Sequence, residues 1–208
     1  MPSYKLTYFN VKGRAEPTRY MFALAGVDYE DERIGGDAWK ALKATLPLGQ
    51  MPLLYVDGKV FPQSNAIHRY VASELGFYGD TALERLEVDV IMETGLELSP
   101  KVAGIFAESD DAKKAELKKQ LKEEHIPKTL EKLEKLLKEN NGGKGWFVRD
   151  KITLADIGVF NMFFDFLPVV LGEQIDLSKF AGVKGVIDRL AAEPKIKNYI
   201  DTRPKTTM

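Results

Sequence analysis

Residues 50–64 read Gln50-Met-Pro-Leu-Leu-Tyr-Val-Asp-Gly-Lys-Val-Phe-Pro-Gln-Ser64, and this stretch decides how the first part of the chain folds. Leu53 to Val56 and Lys59 to Phe61 are short apolar-rich runs joined by Asp57-Gly58. That dipeptide is a strong two-residue hairpin signal, because both central positions of the tight turn need positive φ. Pro52 has no N–H to give to a ladder, so it fits at the first residue of a strand or at an edge. A cis bond between Met51 and Pro52 would turn the Met51 main-chain groups outward, where they could pair with an extended peptide laid alongside. Gln63-Ser64 then opens a helix with Ile67, Tyr70, Val71 and Leu75 in helical spacing. Backbone groups beside a helix N-terminus suit a small peptide with a carboxylate at one end.

Working outward, residues 4 to 75 alternate between strand and helix patterns. Lys5 to Phe9 and Tyr29 to Ile34 read as strands, Ala15 to Leu24 and Ala38 to Ala44 as helices. With the hairpin and the helix from Ser64, the order is βαβαββα, an α/β layer on a small mixed sheet. By topology it resembles a thioredoxin-like domain, although Cys-x-x-Cys is absent. From Gly76 the pattern changes and only helical spacing follows. Thr81-Ala-Leu-Glu84 and Thr153-Leu-Ala-Asp156 are capping boxes. Leu83, Leu86 and Val90, then Leu117, Leu121, Leu130, Leu133 and Leu137, mark amphipathic helices, with a kink expected at Pro127. The expected organisation is an α/β domain over residues 1–79 and an all-α helical bundle over 81–208.

Composition narrows the function. The 208 residues carry 30 basic and 31 acidic side chains, which gives no reason to expect nucleic acid or membrane partners. The apolar segment Val159 to Leu171 is interrupted by Asp165 and Pro168 and reads as a core helix too short to span a bilayer. No charged start followed by an apolar run marks a secretory signal, so a cytoplasmic protein is expected. The chain has no cysteine, which excludes disulfides, Cys-based metal sites and a protein thiol nucleophile. Any thiol chemistry here uses a thiol brought in by a ligand.

Tyr4-Lys-Leu-Thr-Tyr8-Phe-Asn, Gly13-Arg14-Ala-Glu16, Asp37-Ala-Trp39, Gln50-Met51-Pro52, Gln63-Ser64 and Thr153-Leu-Ala-Asp156 occur in one order along the chain. In that order they resemble the cytosolic glutathione transferases, and within them the sigma class. That class includes the haematopoietic-type prostaglandin D synthases and the S-crystallins. The resemblance implies that Tyr8, at the end of the first strand, donates its hydroxyl hydrogen to the sulfur of bound glutathione, with Arg14 nearby adding positive charge. It implies that Trp39 and Lys43 hold the glycine carboxylate, that Gln50, Met51 and Pro52 meet the tripeptide backbone, and that Gln63 and Ser64 receive the γ-glutamyl carboxylate. Taken alone, Tyr8 reads as a strand-end core aromatic, Trp39/Lys43 as packing plus a solvated charge, and Gln63-Ser64 as a simple cap, a role compatible with the functional one.

The acidic row Asp89, Glu93 and Glu97 follows helical spacing and by itself reads as a solvated face. The resemblance implies that Glu97 reaches the γ-glutamyl amine held by the other subunit of a homodimer. Leu96 interrupts the acidic cluster that binds a divalent cation in prostaglandin D synthases, so no metal is expected. Gly104 stands where those synthases carry a bulky aromatic in the substrate pocket; Phe9 and Met208 are the other expected apolar wall residues. His68 and His125 read as surface or packing residues. The implied activity is detoxifying conjugation of glutathione to hydrophobic electrophiles. Alternatives are a glutathione-dependent prostaglandin isomerase and a non-catalytic crystallin or ligand carrier.

Overall fold

The computed structural model describes residues 2–46 and 48–206, in two compact units. The first unit comprises residues 1–77 together with 193–208, and the second residues 78–192.

In the first unit the strands β1 (Tyr4–Phe9), β2 (Glu30–Ile34), β3 (Leu53–Val56) and β4 (Lys59–Pro62) form one sheet in the order β2-β1-β3-β4. β1 is parallel to β2 and antiparallel to β3, and β3 is antiparallel to β4. The sheet is therefore mixed, as the βαβ opening and the hairpin require. Asp57 at φ 48° and Gly58 at φ 82° make the expected tight turn. Asp57 also accepts from the Ser3 N–H at 2.9 Å, which ties the turn to the start of β1. The Met51–Pro52 bond is cis, and the β1–β3 ladder begins at Leu53.

Helices α1 (Glu16–Ala25), α2 (Gly36–Lys43) and α3 (Ser64–Leu75) follow β1, β2 and β4 respectively. In α3 the buried residues are Ile67, His68, Val71 and Ala72, whereas Tyr70 is 37% exposed. The inward stripe is thus centred one position away from the Ile67–Tyr70–Val71–Leu75 face expected from hydrophobicity alone.

In the second unit α4 (Ala82–Leu96), α5 (Ser99–Ala107) and α6 (Asp111–Gln120) are followed by α7 (Ile126–Glu139). Next come α8 (Leu154–Phe160), α9 (Leu167–Leu171) and α10 (Ala181–Ala192). The Thr81 capping box forms as the sequence predicts. Val88 and Ile91 of α4, and Leu130, Leu133 and Leu137 of α7, are buried. A Cβ on Gly158 of α8 would meet the end of the Met92 side chain of α4, so the glycine makes room for that thioether.

The kink expected at Pro127 takes another form. A π-helical stretch, Leu121–His125, joins α6 to α7, and Pro127 sits in the first turn of α7. Asn161–Phe166 joins α8 to α9 ahead of Pro168 in the same way. The wider turn accommodates a residue that cannot donate an i→i−4 bond. As a result 154–171 is one helical run, longer than the apolar segment picked out from sequence. By length and composition Leu154–Leu171 could cross a membrane, but 61% of it is buried inside the protein, as in a core helix.

The last helix, α11 (Pro194–Thr202), is not part of the helical unit, unlike the organisation drawn from the sequence. It packs on α1 through a buried polar cluster. Glu16 Oε1 accepts from Arg203 at 2.7 Å and from the Tyr199 hydroxyl at 3.0 Å, while Oε2 accepts from Arg19 at 3.0 Å. Glu16 and Arg19 are fully buried, and Arg19 also donates to Asp31 at 3.0 Å. A buried carboxylate needs this many partners to offset lost hydration. Burial and Glu16 together push the Tyr199 phenol far up.

Candidate active site

Tyr8 lies at the end of β1, and its side chain is buried with Leu6 and Ala15. Phe9, Val11, Tyr29 and Met51 pack around that cluster. The Tyr8 hydroxyl accepts a hydrogen bond from the Arg14 N–H at 3.4 Å. Because an acceptor position is already occupied, its own proton is free for another acceptor. A short 3-10 turn, Gly13–Ala15, brings Arg14 there, and Gly13 adopts φ +47°.

Gly13 is a site residue that the motif reading left without a role. A Cβ there would fall 3.0 Å from the Tyr8 oxygen and 3.1 Å from its Cε1. Positive φ adds about 1 kcal/mol of backbone strain for alanine. Gly13→Ala is expected to lower kcat/KM for a glutathione conjugation about tenfold while costing roughly 1 kcal/mol of stability. Steady-state assays paired with thermal melts check this, and unchanged kinetics would mean the turn yields without moving Tyr8.

An aromatic row extends from the hydroxyl. The Tyr8 and Phe9 rings are 5.5 Å apart, and Phe9 meets Trp39 of α2 edge-on at 5.6 Å. Lys43, one turn further along α2, places its ammonium 6.0 Å from the Trp39 ring centre. Its side chain lies against Gly49, next to the exposed Gln50. Tyr8, Phe9, Trp39 and Lys43 therefore form a continuous line, with Met51 against its inner end.

The second wall is the N-terminus of α3. Gln63 precedes it at φ 78° and ψ 100°, a strained conformation for a residue with a side chain. No side chain caps this end, so the first amides of a 12-residue helix keep their capacity to bind an anion. One turn on, His68 Nε2 lies 3.0 Å from the Arg14 C=O and links this helix to the turn beside Tyr8. His68 is a packing residue, as expected, but a buried one with a polar bond into the site. Arg19 holds the neighbouring loop through the Val11 C=O at 2.9 Å.

Glu97 and Gly104 belong to the second unit. Glu97 is exposed and pairs with Lys132 at 2.5 Å. Asp89 accepts from the Tyr78 hydroxyl at 2.8 Å. Among the described residues no group of three His, Asp or Glu side chains could hold a metal ion. Gly104 is exposed, with nothing within 4 Å of an added Cβ, so no bulky side chain walls this point. Met208 lies outside the described residues.

The polar features on this side of the first unit are the Tyr8 hydroxyl, the Lys43 ammonium one turn from the Trp39 indole, and the uncapped N-terminus of α3. Residues 4–73 match the model of the glutathione S-transferase N-terminal domain, and residues 97–203 that of the C-terminal domain. The chain belongs to the glutathione S-transferase family. It is 39% identical to glutathione S-transferase S1 of Drosophila melanogaster, over 98% of this chain and 80% of that protein. It is 38% identical to hematopoietic prostaglandin D synthase of Gallus gallus over the full length of both. Among solved structures, rat hPGDS complexed with a quinoline superposes with a TM-score of 0.87 at 33% identity, covering both chains completely.

Proposed function

We propose that this protein conjugates glutathione to hydrophobic electrophiles, with Tyr8 keeping the bound sulfur as thiolate. The observation that carries the reading is the buried Tyr8 hydroxyl, whose acceptor side is occupied by the Arg14 N–H at 3.4 Å and whose proton remains available. A free thiol with pKa near 8.5 is only a few per cent ionised at pH 7, and the thiolate is the nucleophile. The hydroxyl proton stabilises the anion, and the Arg14 guanidinium adds to it. Trp39 and Lys43 bind the glycine carboxylate, Gln50, Met51 and Pro52 the middle of the tripeptide, and Gln63 and Ser64 the γ-glutamyl carboxylate. Phe9, whose ring lies beside Tyr8, offers the electrophile an apolar wall. Holding both reactants together supplies the rest of the rate.

A sigma-class homodimer acting in the cytoplasm in detoxification, without a metal, fits these features. Leu83, Leu86 and Val90 are 64%, 60% and 44% exposed in one chain, an apolar face on α4 that a second copy would cover. Glu97 would then serve the γ-glutamyl amine held by the partner. The open Gly104 position favours conjugation of varied electrophiles over a prostaglandin isomerase, whose pocket carries an aromatic wall at that point.

Titration calorimetry with glutathione, followed by turnover of aryl halides, a hydroperoxide and a prostaglandin endoperoxide, tests the proposal. The expected outcome is glutathione binding, conjugation of the aryl halides, and a light-scattering mass of twice 23.4 kDa. Binding without turnover would instead mark a crystallin or carrier.

A further inference from the structure

The Arg14 peptide is held from both sides. Its N–H donates to the Tyr8 hydroxyl at 3.4 Å, and its C=O lies 3.0 Å from His68 Nε2. A carbonyl oxygen only accepts, so Nε2 carries the ring proton and donates it. The imidazole is 4% exposed, and its Nδ1 has no hydrogen-bond partner. Burial pushes its pKa down to about 4, with the Arg14 carbonyl opposing and the neighbouring Arg69 charge adding to the shift. At neutral pH the ring is therefore uncharged, and its single proton is committed to Arg14.

That arrangement costs free energy, since a buried lone pair is left without a donor. The companions of His68 on the inward face of α3 are Ile67, Val71 and Ala72, so packing alone calls for an aliphatic side chain. The ring's one polar contact is with the residue that also touches Tyr8. The turn it holds begins at Gly13, whose positive φ gives the backbone freedom that a neighbouring anchor must restrict. Arg19 fixes this loop at Val11, and His68 fixes it at Arg14.

We propose that His68 is a positioning residue for the thiol chemistry, holding the Arg14 peptide so that the Tyr8 hydroxyl aims its proton at the bound sulfur. The inference rests on the role of Tyr8 given above. It also links the two ends of the ligand: Ser64, at the start of α3, lies one turn from His68 on the same helix. A carboxylate seated there and the hydroxyl at the sulfur thus share one rigid support.

The test compares His68→Leu, which keeps bulk and loses the donor, with His68→Gln, which keeps an N–H donor. The readouts are the apparent pKa of bound glutathione, followed by its ultraviolet thiolate absorbance, and the pH profile of kcat/KM with an aryl halide. His68→Leu is expected to raise the apparent thiol pKa by about 0.5–1 unit. Below that pKa, kcat/KM should fall roughly three- to tenfold, with recovery at high pH. His68→Gln should restore at least half of the shift. A wild-type pKa in His68→Leu, whatever its melting temperature, would overturn the proposal, as would equal shifts in both variants. Should His68→Leu fail to fold, nitrogen NMR of the wild-type ring decides: an Nε2–H neutral imidazole supports the proposal, and an Nδ1–H tautomer or imidazolium refutes it. Absence of thiolate in the wild type would refute the Tyr8 reading itself and this inference with it. A wild-type thiolate that His68→Leu leaves unmoved would refute this inference alone.

Discussion

Tyr8→Phe is expected to lower turnover of an aryl halide by about a hundredfold and to leave glutathione affinity within about twofold. The size follows from the thiol: depressing its pKa by about two units takes roughly 2.7 kcal/mol of preferential anion stabilisation. One charge-assisted hydrogen bond supplies about 1.5–3 kcal/mol, so a single hydroxyl suffices. Phenylalanine keeps the ring packed with Leu6, Ala15 and Phe9, so the fold survives, and with it the carboxylate sites proposed on α2 and α3. The loss should lie in kcat at neutral pH and shrink as rising pH ionises the thiol without help. Steady-state kinetics from pH 6 to 9 with calorimetric binding check both halves. Turnover equal to wild type at pH 6.5 would remove Tyr8 from the chemistry.

The second large effect is on stability. Asp156 is fully buried and accepts three hydrogen bonds: from the Phe147 N–H at 2.9 Å and from the Thr153 N–H and hydroxyl, each at 2.8 Å. Burial pushes its carboxyl up to about 6, against the pull of those donors. Alanine would leave all three donors buried and unpaired, at about 1–3 kcal/mol for each. Asp156→Ala is therefore expected to cost about 4 kcal/mol, well above the ordinary substitution near 1 kcal/mol. Thermal melting should fall by roughly 8–16 °C. A drop of only a few degrees would mean that water replaces the carboxylate and that the box is ornamental.

Local chemistry made much of this legible in the sequence. Asp57-Gly58 specified the hairpin, Thr81 and Thr153 marked true helix starts, and the βαβαββα order gave the mixed sheet. Each of those signals acts within a few residues. The features that the sequence did not yield depend on distant partners. His68 scored as an ordinary helical position because hydrophobicity placed Tyr70 on the inner face. Spacing from Val71 and Ala72 back to 68 was the available clue. Gly13 needed the position of the Tyr8 oxygen, six or fewer residues away but across a turn whose shape no periodicity encodes. The π-helical turns before Pro127 and Pro168 carry no local signal beyond the prolines themselves. The return of α11 to α1 rests on Glu16 meeting Arg203 across most of the chain's length.

That last contact bears on how the molecule is made. Until residues 194–203 have been synthesised, Glu16 lacks two of its three donors, and Lys195 cannot cover the Leu24 carbonyl at the end of α1. The glutathione-binding half therefore cannot mature on the ribosome ahead of the helical half, although it is translated first. Its completion waits for residues 194–203 to emerge, and a fragment released before them would leave Glu16 with Arg19 alone of its three partners.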